Sequence, residues 1–291
     1  MGTFFDLIPQ RVVSLVPGMT ETLFDLGLGG RVVAITNACT RPAEALQHVP
    51  RIGSPAAPDL AAILALAPDF ALMSDELNRP EDRQALETAG VVVWETGPRS
   101  VQEALNLLWD TMDVFEEAEY SARVREIERA YDYTEGAMRA QRLVRVFVPF
   151  WQAPWITVNA QAFANDLLSI CGGENCFADR VGPPTLGEAP EASLAAELRF
   201  SLAGVRYAAV SLAEVEAARP EVVLLPDAPY PFTAVDAQTF YALDIPAAQN
   251  GHIYTLDGSL LTWYGTRLAY AMQALPPIFD AVRKATATPD A

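Results

Sequence analysis

The sequence predicts an α/β protein of two α/β lobes, each with a mostly parallel central sheet flanked by helices, joined by one long interlobe α-helix. Three observations carry this reading: an internal duplication, an alternation of strand and helix patterns, and a long uninterrupted amphipathic stretch. Residues 59–73 (DLAAILALAPDFALM) and 211–225 (SLAEVEAARPEVVLL) align so that Leu60 falls on Leu212, Ile63 on Val215, Pro68 on Pro220, Asp69 on Glu221 and Leu72 on Leu224. Each copy is a short apolar-periodic helix, then a Pro that cannot continue the hydrogen-bond ladder, then a strand of apolar residues. A repeat present once in each half, at so wide a spacing, fits two similar lobes with a cleft between them and not a solenoid.

The first lobe (1–115) opens with a strand at 11–16 (RVVSLV) and a Pro-Gly turn at Pro17 and Gly18. A helix then runs from Thr20, a suitable N-cap, to Leu26 and is stopped by Gly27. A strand at 31–36 (RVVAIT) leads through a Pro-bearing loop to the first repeat unit, a helix near 80–89, a strand at 91–94 and a helix near 100–114. In the connecting segment 116–142, Tyr120, Val124, Ile127, Tyr131, Thr134 and Met138 form one stripe over about five turns. Arg125, Glu126, Glu128 and Arg129 occupy its solvated face, and the segment has no Pro and a single Gly, Gly136. The second lobe (143–291) repeats the plan with a strand at 144–150, an aromatic loop at 151–155 (WQAPW), a short strand at 156–158 and a helix at 161–170. A Gly- and Pro-rich stretch with a short helix at 191–198 precedes the second repeat unit. A helix near 234–242, a strand at 252–256 and a final helix at 265–283 follow it. Strand and helix alternating in this way build a parallel sheet with helices on its faces.

Composition fits a soluble globular protein: of 291 residues 51% are hydrophobic and 20% charged, enough for a large core. The formal net charge of -17 would repel a phosphate backbone and an anionic membrane surface, which argues against nucleic-acid binding. The apolar stretch 60–73 is broken by Pro68 and Asp69, so no membrane span is expected. The opening MGTFFDLIPQ has no basic n-region or apolar h-region, which leaves a cytoplasmic chain or one whose leader was removed. Three cysteines, Cys39, Cys171 and Cys176, cannot close a disulfide framework and lack zinc-site spacing, so they read as structural or free thiols. The two histidines, His48 and His252, stand in different lobes without partners at metal-ligand spacing and read as surface residues. No G-x-S-x-G elbow, Gly-rich phosphate loop or H-E-x-x-H is present, and no enzymatic activity is expected.

Ligand-binding candidates lie at strand ends, where α/β sheets place their ligands. They are Pro17, Gly18 and Met19 after the first strand, and Trp94 and Glu95 at the end of the strand that follows Gly90. The second lobe adds Trp151, Gln152 and Trp155, and later loops add Tyr207, Trp263 and Tyr264. Flat rings converging on a cleft suit a large flat ligand of little formal charge, since stacking and area burial supply affinity without a counter-ion.

The stretches RVVSLVPGMTETLFDLGLGGRVVAIT, PRIGSPAAPDLAAILALAPDFAL, WQAPWITVNAQAFANDLLSICGGENCFAD and SLAEVEAARPEVVLL resemble the cobalamin and iron-complex receptors of ABC importers. These are the helical-backbone (class III) periplasmic binding proteins. The likeness covers nearly the whole chain and is sharpest at Ser14–Glu21, Pro58–Asp69 and Gly172–Asn175. It implies a ligand between two lobes with modest lobe motion, an extracytoplasmic location and an ABC permease as partner. By position it sets Tyr207 against a corrin, Trp94 or Glu95 beside another such position, and Trp151 and Gln152 on the family's frequent W-Q. Docking carboxylates fall near Glu81 or Asp82 in the first lobe. In the second, the family's docking Glu falls on Ala213, which leaves Glu214. Pro55 stands where a cobalamin receptor can carry Trp, 182–205 reads as an insertion by the cleft mouth, and Cys171 lacks a Cys opposite near Pro276.

The resulting expectation is a monomeric, non-enzymatic binding protein for a metal chelate, with cobalamin or another corrinoid first. An iron-siderophore or heme receptor comes second, with Met19 or Tyr264 as axial-ligand candidates for heme. A cytoplasmic sensor or carrier that no longer docks on a permease is the alternative from another class.

Overall fold

The computed structural model describes residue 5, residues 7–181 and residues 205–287. The first lobe contains β1 (Val12–Ser14), α1 (Pro17–Asp25), β2 (Val32–Ile35), β3 (Gly53–Ser54), β4 (Ala57–Pro58), α2 (Leu60–Ala65), β5 (Phe70–Ser74), α3 (Pro80–Thr88), β6 (Val92–Thr96) and α4 (Val101–Val114). Its parallel sheet runs in the order β2-β1-β5-β6. Every residue of β5 is buried, which is why FALMS carries no alternation: helices cover both faces of a parallel sheet. After the connecting helix α5 (Ser121–Met138) come β7 (Val144–Phe147), β8 (Pro149–Trp151), β9 (Trp155–Val158), α6 (Phe163–Cys171), β10 (Gly173–Asn175), β11 (Tyr207–Val210), β12 (Val222–Pro226) and β13 (Ile253–Leu256). The second parallel sheet runs β10-β7-β12-β13, and β11-β9-β8 form a small antiparallel sheet beside it. The two-lobed α/β expectation therefore holds. The helix expected at 191–198 and the insertion at 182–205, except Val205, lie outside the described residues.

The duplicated unit is α2 with β5 in one lobe and the helix Leu212–Ala218 with β12 in the other, and the same device secures both. A left-handed residue follows each helix directly before its Pro, Ala67 at φ 46° and Arg219 at φ 47°. An Arg from the lobe's first strand region then hydrogen-bonds the carbonyls at the helix end. Arg11 reaches the Leu66 and Ala67 carbonyls at 2.6 and 3.1 Å, and Arg145 reaches that of Ala218 at 2.7 Å. A cation there satisfies orphan carbonyls and faces the negative end of the helix dipole. The acid after each Pro accepts a backbone N–H from the neighbouring strand, Asp69 from Arg11 at 2.9 Å and Glu221 from Arg145 at 3.0 Å.

Helix α5 is shorter than the expected 116–142. Phe115 is buried at the end of α4, and Glu116 turns the backbone into the left-handed region at φ 49°, so a turn precedes Ser121. Neither Pro nor Gly marks that break. The helix's 18 residues give a length of about 27 Å. One end meets the first lobe, where the Tyr120 ring lies over Gly27, and Trp109 of α4 donates to Glu128 at 2.7 Å. The other end meets the second, where Arg283 of the C-terminal helix Leu268–Ala287 donates to Met138 Sδ at 3.3 Å. Val124, Ile127 and Thr134 of the stripe are buried, and one hydrophobic core runs from Phe70 and Phe115 through α5 to Val146 and Phe279.

Further differences follow from local packing. The Pro-Gly pair is not a turn but the first turn of α1, with Pro17 at the position where a missing N–H costs nothing. Thr20, expected as the cap, lies inside the helix with its hydroxyl on Ser14 Oγ at 2.8 Å. The WQAPW segment is the tip of the β8–β9 hairpin. His48 is exposed, but His252 is buried, lying beside Tyr254. All three cysteines are free thiols, and burial pushes Cys171 up to about 12 and Cys176 up to about 11.

Where α1 meets the segment before the C-terminal helix, Glu21 and Arg267 form a bidentate pair with both side chains under 8% exposed. The Arg267 guanidinium also lies over the Trp263 and Tyr270 rings at 5.7 and 4.8 Å. Arg267→Ala would leave Glu21 buried without its counter-charge, and the expected loss is about 3–5 kcal/mol of unfolding free energy. The double variant Glu21→Leu, Arg267→Met should lose far less; equal losses in urea titrations would contradict this account. A second expectation concerns Glu214, which completes a capping box with Ser211 and pairs with Arg180. Its bonds to the Ser211 backbone, Arg180 and the Ser211 hydroxyl hold its carboxyl down to about 2 from an ordinary 4.5. A depressed value stabilises the fold fully above the unfolded pKa, and the effect fades as the pH falls. The melting-temperature gap between wild type and Glu214→Gln should thus be present at neutral pH and shrink from pH 4.5 towards 2; a gap independent of pH would refute it.

Candidate functional site

The C-terminal ends of the parallel strands in both lobes meet along one seam. From the first lobe come the start of α1, the turn Asp75–Asn78 after β5, and Thr96 at the end of β6. The second contributes the start of β11, Asp257 after β13, and Trp263 and Tyr264, while the hairpin tip after β8 and the loop after β12 pack on one another at the strand ends of the same lobe. Contacts cross the seam throughout. Thr96 and Tyr264 share a hydroxyl hydrogen bond of 2.8 Å, the Thr22 hydroxyl accepts from the Thr266 N–H at 3.0 Å, and Arg41 pairs with Asp257 at 2.6 Å. At Gly18 an added Cβ would stand 2.6 Å from the Tyr264 carbonyl, so glycine is what lets α1 lie against the second lobe. Asp166 of α6 accepts from the Val101 N–H at 2.7 Å, placing a carboxylate of the second lobe at the positive end of α4.

The expected ligand residues divide into three groups. Pro17, Gly18 and Met19 are buried in the first turn of α1, and Met19 is fully enclosed, so its sulfur offers no ligand to a guest. Trp94 is likewise a core residue and not a cleft residue: its ring packs edge-on to Phe5 and Phe70 under the first sheet. Strand alternation then turns Glu95 to the outside, where it pairs with Arg83 at 2.9 Å. Tyr207 and Tyr264 do reach the seam, but their hydroxyls are engaged across it, with Glu76 and Thr96 respectively. Burial raises the Tyr264 phenol above its usual value.

The remaining group gathers around the loop after β12. Trp151 meets Tyr230 edge-on at 5.2 Å, and Tyr230 meets Phe232 at 4.6 Å. Gln152 donates its amide to the Tyr230 hydroxyl and, at 3.3 Å, to Asp236. Trp155 is wedged between Phe232 and Phe240 at 6.0 and 5.1 Å, so it anchors the loop to the core. Trp151, Gln152, Tyr230 and Trp263 all stay half-buried, with polarity and ring surface together at the strand ends. Tyr230, Phe232, Asp236, Asp75, Glu76 and Arg206 were absent from the sequence-based set. Tyr230 and Phe232 could have been found by applying the strand-end rule to the loop after the second repeat, whereas no local pattern marks the charged residues.

Of the docking candidates, Glu81 is exposed on the first turn of α3, and Asp82 is partly buried with its carboxyl raised by that burial. The Glu214 carboxylate is occupied by its own helix cap and by Arg180. Among the described residues no cluster of His, Cys, Asp and Glu can hold a metal ion, and no helix is long and apolar enough to cross a membrane.

Over 276 residues the chain is 21% identical to a vitamin B12-binding protein of Vibrio parahaemolyticus, spanning 94% of this chain and 91% of that one. Its fold is similar to that of the periplasmic vitamin B12-binding protein of Vibrio cholerae, with a TM-score of 0.74 at 19% identity over 95% of this chain and 99% of the other. It is equally similar to the periplasmic heme-binding protein RhuT from Roseiflexus sp. RS-1, with a TM-score of 0.74 at 22% identity over 94% and 98%. The periplasmic binding protein family matches residues 12–260, and the chain, with its two lobes and connecting helix, belongs to that family.

Proposed function

We propose that the chain is a non-enzymatic substrate-binding protein that holds a metal chelate between its lobes, with cobalamin or another corrinoid as the first candidate, for delivery to an ABC importer. The observation that carries this reading is the Trp151, Gln152 and Tyr230 group at the strand ends of the second lobe, with Trp263 also half-buried near the seam. Rings supply stacking area for a planar guest, and the Gln152 amide can exchange its internal partners for the amide edge of a corrinoid. The relatives named for vitamin B12 support the same choice.

Heme is the runner-up, supported by the heme-binding relative. Its iron would need an axial Tyr, His or Met, yet Met19 is enclosed and Tyr264 is held by Thr96. A corrinoid can carry its own lower cobalt ligand and makes no such demand. Delivery to a permease rests on Glu81 in the first lobe. The occupied Glu214 beside Ala213 favours, as a second reading, a carrier that does not dock through its second lobe.

Cyanocobalamin added to the purified protein should quench tryptophan fluorescence and saturate at one equivalent. Trp151→Ala should weaken binding about tenfold, the equivalent of roughly 1.4 kcal/mol for a lost ring contact. Hemin titrated in parallel should give weaker binding without the spectrum of a protein-ligated iron. No cyanocobalamin binding at high micromolar concentration, with tight hemin binding, would reverse the ranking.

A further inference from the structure

Four side chains join the lobes at one edge of the seam. Asp75 and Glu76 lie in the turn after β5, and Arg206 and Tyr207 stand at the start of β11. The Arg206 guanidinium donates to Asp75 Oδ2 at 2.5 Å, to Asp75 Oδ1 at 3.2 Å and to Glu76 Oε2 at 2.9 Å. The Tyr207 hydroxyl donates to the other Glu76 oxygen. Among the described residues, every hydrogen bond of that guanidinium crosses the seam. Its side chain is 9% exposed, whereas Asp75 and Glu76 keep 32% and 29%. A bidentate fork on one carboxylate with a second carboxylate beside it is the strong form of ion pair, in contrast to the more open Arg41–Asp257 contact.

The grip has a consequence for Tyr207. Its ring packs edge-on against Phe150 at 6.2 Å, and the residue is 6% exposed. While Glu76 holds the hydroxyl, little of the ring is open to a guest. We propose that Asp75, Glu76, Arg206 and Tyr207 form an interlobe clasp that keeps the ligand-free protein closed over Tyr207. The clasp rests on the proposed function only in that the guest lies between the lobes, where Tyr207 reaches across to Glu76. The spine of α4, α5 and the C-terminal helix is continuous core, so release of the clasp opens this edge and does not separate the lobes.

Spin labels at Gln84→Cys and Gln238→Cys, exposed sites in opposite lobes, report the interlobe distance in a Cys176→Ser background. Ligand-free protein should give one narrow distance distribution. Arg206→Gln should move it to longer and broader distances. The double variant Asp75→Asn, Glu76→Gln should do the same from the other lobe, and cooperative melting of each variant verifies that it is folded. Distributions that coincide with that of the unaltered protein in both variants, or a broad distribution before any change, would overturn the clasp. Cyanocobalamin binding is measured on the same samples. If distances shift and no form binds cyanocobalamin, the corrinoid reading fails while the clasp stands.

Discussion

A single apolar core passes from the first sheet through α4, α5 and α6 into the second sheet and the C-terminal helix, and the rest of the architecture depends on that continuity. Two lobes linked by a flexible tether could swing freely. These share buried side chains, and protein interiors do not deform smoothly, so their mutual orientation is set by packing. The Glu21–Arg267 pair reinforces the join on the side of α1. Such a pair adds little net stability over apolar residues of the same volume, but it tolerates only one register of α1 against the chain at 263–267. At the edge of the seam, by contrast, the Arg206 contacts to Asp75 and Glu76 are polar and their carboxylates partly exposed.

Each lobe builds its half of the seam with the same local chemistry. An Arg from the first strand region ties down the end of a short helix, a left-handed residue turns the chain, a Pro stops it, and an acid hands the next strand to its neighbour. Both copies therefore deliver their strands with carboxyl ends pointing at the cleft, where open α/β sheets bind ligands. Family membership and the shape of the solved relatives agree with the two-lobed scaffold. The choice of guest depends on side chains that the scaffold leaves free to vary.

Much of the scaffold was legible in the sequence because it is written in short-range rules. Pro68 and Pro220 mark the repeat, and Val124, Ile127 and Thr134 mark the buried stripe of α5. The break at Glu116 was not legible, since a burial preference at Phe115 forces it and no turn residue signals it. The candidate site was legible only in part. Trp151 and Gln152 fall where strand-end reasoning puts them, but Trp94 sits one residue out of phase, on the face of β6 that meets Phe5 and Phe70. The period of two separates the faces of a strand without saying which one is core. Arg206 and Glu76 are 130 residues apart in the chain, and no local pattern could have paired them.

On the proposed reading the seam, and not an outer face of either lobe, receives the guest. Hydrogen exchange with and without saturating cyanocobalamin tests this most directly. New protection should be confined to the hairpin at 151–155, the loop at 227–236 and the seam around Trp263. Protection that falls instead on the outer helices, or none at all in these segments when cyanocobalamin is bound, would contradict it.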